Sequence, residues 1–253
     1  MKKVILGVKI DDVSIPEVVN TVEGWLKKPG KHYIVTPNPE IVMMAQQDLE
    51  LKKILNQADL AIPDGNGLKA GTDIENNSPG IDVMEELIKK ANVWGSTIGL
   101  LGGRGDVAKK AAECLQKKYP NLKISFISSG GEVNNDGNVI ASPAFGGTKQ
   151  SQKEIASSSM NPPRNDGGVD ILFVAFGPPK QEKWIAQNLP KIPVKVAMVV
   201  GGSFDYLSGR VPRAPIWMRS LGLEWLFRLL TQPWRIKRQL ALLKYLFLVV
   251  WKI

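Results

Sequence analysis

Asp64 lies in the string Pro63-Asp64-Gly65-Asn66-Gly67, directly after the apolar stretch Leu60–Ile62. A carboxylate at a strand end can take a proton from an attacking hydroxyl, and Gly65 beside it lets other groups come close. The same string also reads as ordinary turn chemistry, which Asp and Gly dominate. A second polar turn, Thr36-Pro37-Asn38-Pro39-Glu40, likewise follows a strand and opens a helix. The Thr36 hydroxyl and the Asn38 carboxamide suit either a helix cap or a grip on a sugar or phosphate. In a third turn, Leu101-Gly102-Gly103-Arg104-Gly105, the glycines bare backbone at a helix start, so Gly102 and Gly103 are candidate phosphate contacts. The spacing is neither a P-loop nor a full G-x-G-x-x-G. A fourth, Phe176-Gly177-Pro178-Pro179-Lys180-Gln181-Glu182, presents Gln181 where a polar side chain can reach a nucleotide, and Gly201-Gly202-Ser203-Phe204-Asp205 exposes backbone after the next strand.

Several chemistries are excluded by count. The only histidine is His32 and the only cysteine is Cys114, so a Ser-His-Asp triad, a His-based metal site, a zinc cluster and an intrachain disulfide are all absent. His32 is expected to be structural. No D-x-D pair is present to hold a metal on a nucleotide diphosphate. No metal or cofactor is therefore expected, and backbone N–H groups with Arg or Lys must meet any diphosphate.

These turns need strands and helices to position them. Apolar runs alternate with amphipathic stretches, the pattern of an α/β fold. Strands are expected at Lys3–Lys9, Tyr33–Thr36, Leu60–Ile62, Thr97–Leu101, Lys123–Ile127, Asp170–Ala175 and Val194–Val200. Helices are expected at Pro16–Lys27, Pro39–Asp48, Leu49–Gln57, Val83–Val93, Asp106–Lys118 and Lys180–Asn188. Uninterrupted runs such as Val169–Gly177 and Val194–Gly202 suit strands buried on both faces, which predicts a largely parallel, Rossmann-like sheet with helices on both faces. Ligands of such sheets bind at the carboxyl ends of the strands. Between Ser128 and Gly168, 24 of 41 residues are Ser, Gly, Asn, Asp or Pro, so a low-complexity insertion is expected there, helical only at Thr148–Ala156.

Hydrophobic residues make up 43% of the 253, enough for one sizeable core. The N-terminal MKKVILGVKIDDV reads as a first strand and not as a signal peptide. Residues 207–253 carry nine Lys or Arg against one acid, Glu224, and so hold eight of the nine net positive charges, together with four of the seven tryptophans. Cations mixed with Trp, Leu and Phe suit an amphipathic segment on an anionic membrane surface. Two tail helices are expected, Pro215–Thr231 and one from Pro233. Their apolar residues could also pack on the protein's own core. The most apolar tail stretch, Leu240–Trp251, falls short of the roughly 20 residues a spanning helix needs. The chain divides into an α/β domain, 1–206, and a C-terminal amphipathic helical appendage, 207–253. Overall basicity also suits nucleic acid, but no such motif appears and none is expected as partner. Exposed apolar tail surface makes homo-oligomers conceivable.

The ordered series TPNPEIVMMAQ (36–46), IPDGNG (62–67), GIDVMEEL (80–87), LFVAFGPPKQEKWI (172–185), VGGSFDYLSGRVPRAP (200–215) and GLEWLFRLLTQPWRIKRQ (222–239) resembles the WecG/TagA/CpsF glycosyltransferase family, and within it the TagA branch. The resemblance implies inverting, metal-independent transfer of N-acetylmannosamine from UDP-ManNAc to GlcNAc-diphospho-undecaprenol, the linkage-unit step of wall teichoic acid synthesis, by a cytoplasmic enzyme peripheral on the inner membrane face. It implies that Asp64 is the general base, that Thr36, Asn38 and Gln181 line the substrate pocket, and that Arg213, Arg219 and Arg228 belong to a basic appendage that contacts the diphosphate and the membrane. Two departures stand out. The family's Arg before the G-[IF]-D segment is missing from Asn76-Asn77-Ser78-Pro79, leaving Lys69 as the substitute cation, and a His-rich turn is replaced by Ser128-Ser129-Gly130-Gly131-Glu132. Alternatives are UDP-ManNAc uronic acid as donor, or a catalytically impaired peripheral membrane protein.

Overall fold

The computed structural model describes residues 2–141, 168–233 and 236–250. The expected helix Thr148–Ala156 lies outside them.

The first expected strand is a hairpin instead. Strand β1 (Lys2–Ile5) pairs antiparallel with β2 (Val8–Asp11). Leu6 and Gly7 have φ of 48° and 78°, so a two-residue turn reverses the chain. Leucine is a poor residue for that conformation, and its side chain packs against the core.

The main sheet has six parallel strands in the order β4-β3-β10-β9-β5-β6. These are β3 (His32–Val35), β4 (Leu60–Ala61), β5 (Thr97–Gly102), β6 (Lys123–Ser128), β9 (Val169–Ala175) and β10 (Val194–Val199). A short hairpin of β7 (Glu132–Val133) and β8 (Val139–Ala141) opens the segment expected to be irregular. Every residue of β9 is buried, with Leu172 and Val174 in one core and Ile171, Phe173 and Ala175 in the other, the period-two alternation of a strand covered on both sides.

One core is closed by α1 (Ile15–Leu26), α4 (Gly80–Trp94) and α5 (Val107–Lys118). The other is closed by α2 (Pro39–Ala45), α3 (Leu49–Gln57) and α6 (Lys180–Asn188). A short helix α7 (Ser203–Leu207) follows β10.

Among the described residues the tail forms three α-helices. The expected Pro215–Thr231 is split into α8 (Ile216–Ser220) and α9 (Glu224–Thr231). The break is at Gly222, whose φ of 72° admits Gly with least strain and whose missing Cβ leaves room for Asn66. Helix α10 (Ile236–Val250) lies on α2. Tyr245 is wholly buried there and donates to the Leu68 carbonyl at 3.4 Å, while Leu242, Leu246 and Val249 pack beside it. Among the described residues no helix is long and apolar enough to cross a membrane.

Candidate active site

A cleft of ≈ 470 Å³ opens at the carboxyl ends of β4, β3, β10 and β9, where an open parallel sheet places its ligands. It forms because each strand ends in a turn that local chemistry fixes.

After β3, Asn38 adopts an extended conformation and caps α2: its Oδ1 accepts the Ile41 N–H at 3.0 Å, with Pro39 in the first turn. Capping commits the oxygen, so the Asn38 amide nitrogen faces the Asp64 carboxylate, 3.4 Å from Oδ2. After β4 the ladder continues, the Asp64 N–H donating to the Pro37 carbonyl at 3.0 Å, and the chain then turns at Gly65 with φ of 89°. Asp64 Oδ1 accepts the Gly80 N–H at 2.9 Å, which supplies the acceptor that the N-cap residue Pro79 cannot give α4.

Asp64 therefore caps one helix, meets the cap of another, and lies on the wall of the cleft. Burial pushes its carboxyl above the ordinary value of 3.8, against the Gly80 N–H, the Arg228 charge and Asn38, while Glu224 adds to the rise. A raised carboxylate takes a proton more readily, which suits general base work.

Thr36 also lines the cleft and sits against Gly80, where a Cβ would come within 3.2 Å of its methyl. Gln181 reaches it from α6, but its polar atoms are engaged. Its Oε1 accepts the Gly177 and Gly201 N–H groups, each at 3.1 Å, and its Nε2 donates to Glu182 Oε1 at 3.0 Å.

Arg219 of α8 and Arg228 of α9 line the cleft, with Glu224 and Trp225 of α9 and Leu242 of α10. The Arg228 Nε donates to the Tyr206 hydroxyl, and its guanidinium lies 4.8 Å from the centre of that ring. The buried Arg219 Nε has no hydrogen-bond partner among the described residues. Arg213 does not line the cleft. Its Nη1 is 2.7 Å from Asp82 and 3.8 Å from Glu85, and its Nε is 3.8 Å from Glu224, so it joins α4 to α9. Lys69 is exposed and is not part of the lining.

Gly102 and Gly103 also lie outside the cleft. A Cβ on Gly102 would stand 2.7 Å from the Ala175 backbone, and the Gly103 N–H donates to the Ala175 carbonyl at 2.9 Å. Strand contact accounts for these glycines. The turn they begin borders a separate open depression with Arg104, Lys110 and Arg210. His32, at the amino end of β3, stacks on Trp25 and sits 3.0 Å from Asp59. Among the described residues no group of three His, Cys, Asp or Glu is placed to hold a metal ion.

Sequence reading did not single out Asn77, Glu224, Trp225 or Leu242 as lining residues. Glu224, as the sole acid of the tail, and Trp225, as one of its four tryptophans, carried a signal without pointing to the cleft.

The model of the glycosyl transferase WecG/TagA/CpsF family matches residues 3–253. An N-acetylglucosaminyldiphosphoundecaprenol N-acetyl-beta-D-mannosaminyltransferase of Bacillus subtilis (strain 168) is 36% identical over 245 residues, covering 92% of this chain and 87% of the relative. A protein of the same name from Staphylococcus aureus (strain MRSA252) is 31% identical over 241 residues, covering 92% and 86%. The family match extends over the fold, the cleft and the tail alike, and the chain belongs to the glycosyl transferase WecG/TagA/CpsF family.

Proposed function

We propose that this glycosyltransferase moves N-acetylmannosamine from UDP-ManNAc to GlcNAc-diphospho-undecaprenol, the linkage-unit step of wall teichoic acid synthesis. The observation that carries the reading is a raised carboxylate, Asp64, in one cleft with two tail arginines, Arg219 and Arg228. The names of the relatives support the sugar and the lipid-linked acceptor.

Reaction is a single displacement. The GlcNAc 4-hydroxyl attacks C1 of the mannosamine while Asp64 takes its proton. The new C1–O bond forms as the bond from C1 to the diphosphate breaks, with inversion, and UDP leaves with the electron pair. Arg219 and Arg228 meet the negative charge that grows on the leaving diphosphate, without a metal ion. The lipid end of the acceptor stays in the bilayer at the cytosolic face. The basic helices α8–α10, of which α8 carries Trp217 and α9 carries Trp225, border the cleft and meet that surface.

The test is UDP release from UDP-ManNAc with and without a lipid-linked GlcNAc diphosphate. Acceptor-dependent release is expected, falling by about 10²–10⁴-fold in Asp64→Asn. Full activity of that variant removes Asp64 from the mechanism. Release only from UDP-ManNAc uronic acid replaces the donor.

A further inference from the structure

Glu182 has no place in the transfer just described, yet it is fully buried at the start of α6, bonded to the cleft-lining Gln181. Its Oε1 accepts from the Gln181 amide nitrogen at 3.0 Å, while its Oε2 has no hydrogen-bond partner among the described residues. A buried carboxyl with one oxygen unmatched costs free energy, so its persistence calls for a compensating role.

The role follows from the two ends of the Gln181 carboxamide. The oxygen holds the Gly177 and Gly201 N–H groups, which begin the turns after β9 and β10. Gly201 lines the cleft beside Gly202 and Ser203. Rotating the carboxamide by half a turn would aim its NH₂ at two N–H donors and break both bonds. The final torsion of a glutamine is soft, so sterics alone do not prevent this rotation. An acceptor at the NH₂ end does, because the rotated amide would set its oxygen against a carboxyl oxygen.

We infer that Glu182 is a positioning residue for the candidate site: by accepting from the Gln181 NH₂ it fixes that carboxamide, and through it the Gly177 and Gly201 turns that shape the cleft. Burial pushes the Glu182 carboxyl up to about 7, while the Gln181 hydrogen bond works in the opposite direction and favours the accepting carboxylate. The kinetic consequence rests on the transferase reading, while the structural claim does not.

The experiment is amide hydrogen exchange at Gly177 and Gly201 in the full chain, paired with steady-state UDP release. Glu182→Met keeps the volume and removes the acceptor, so exchange at both glycines should rise about tenfold, the effect of losing one modest hydrogen bond. The KM for the UDP-sugar should rise while kcat changes less, since Asp64 is untouched. Glu182→Gln keeps an acceptor oxygen and should restore slow exchange and KM. In the exchanged pair Gln181→Glu with Glu182→Gln, a carboxylate holds both glycines and the amide donates to it, so slow exchange should persist. That variant decides the matter if Glu182→Met does not fold. Unchanged exchange in Glu182→Met, or fast exchange in both Glu182→Gln and the exchanged pair, overturns the inference. A wild-type chain that releases no UDP overturns the transferase reading and leaves the exchange result to judge Glu182 alone.

Discussion

At Asp64 a structural duty and the proposed chemical one fall on the same carboxylate. It caps α4 through Gly80 and is also the candidate base. Because burial raises it above 3.8, the acid limb of kcat/KM should lie higher than an exposed aspartate would give, and a pH–rate profile reads this directly. Glu182 gives the clearer stability signature. Its value is 4.5 when unfolded and about 7 when folded, so the folded chain binds the extra proton between them. The stability contributed by the neutral carboxyl is complete below about 4.5 and is lost as pH rises through about 7. Glu182→Gln does not titrate, so its advantage over wild type should grow across that window toward about 3 kcal/mol, at about 1.4 kcal/mol per unit. Denaturant unfolding at acidic and alkaline pH checks this, and a constant gap rules it out. Asp64, Thr36 and Asn38 were legible in the sequence because each sits one turn past an apolar run. The engagement of Gln181 was not legible, since its partners, Gly177 and Gly201, come together only when β9 and β10 lie side by side.

At the scale of elements, local signals set the bounds that tertiary contact did not override. Helices α3 and α6 span the residues expected of them; α3 follows the cap of Asp48 and α6 follows two prolines. The hairpin of β1 and β2 was missed because Leu6 takes a conformation its residue type disfavours, and the α8–α9 break was missed because Gly222 answers to Asn66, far away in sequence. Arg213 shows the same dependence on distant partners. Expected among substrate contacts, it instead ties Asp82 and Glu85 of α4 to Glu224 of α9, the helix that carries Arg228. Arg213→Met should therefore lower unfolding stability by about 1–3 kcal/mol, as expected for the loss of a partly buried, charge-assisted hydrogen bond. It should also raise the KM for the UDP-sugar by loosening α9. Thermal unfolding beside UDP-release kinetics separates this from direct contact, which would alter kinetics without touching stability.

For the molecule as a whole, the tail meets two demands with different faces. Tyr245 is wholly buried on the main core, so part of the appendage is ordinary protein interior. Yet α8 to α10 leave Trp217, Leu230, Leu240 and Leu243 at 61%, 71%, 52% and 63% exposure, on the same helices that border the cleft. Cutting the chain at Leu207 would remove both faces together and could not tell membrane affinity from folding. Substituting the four exposed residues by Ser separates them. Each large apolar side chain is worth about 1.5–3 kcal/mol when fully withdrawn from water, more than the roughly 1 kcal/mol of a cation near an anionic surface. The quadruple variant should therefore lose most of its sedimentation with anionic vesicles while its unfolding temperature stays near wild type. What binding survives should vanish at high salt, which screens the remaining lysines and arginines. Tyr245→Ala should do the reverse, costing about 3–5 kcal/mol of stability as a large core truncation does, while leaving the four exposed side chains in place. Undiminished vesicle binding by the quadruple variant would assign those side chains to some other partner and leave the lipid-linked acceptor without a docking face on this protein.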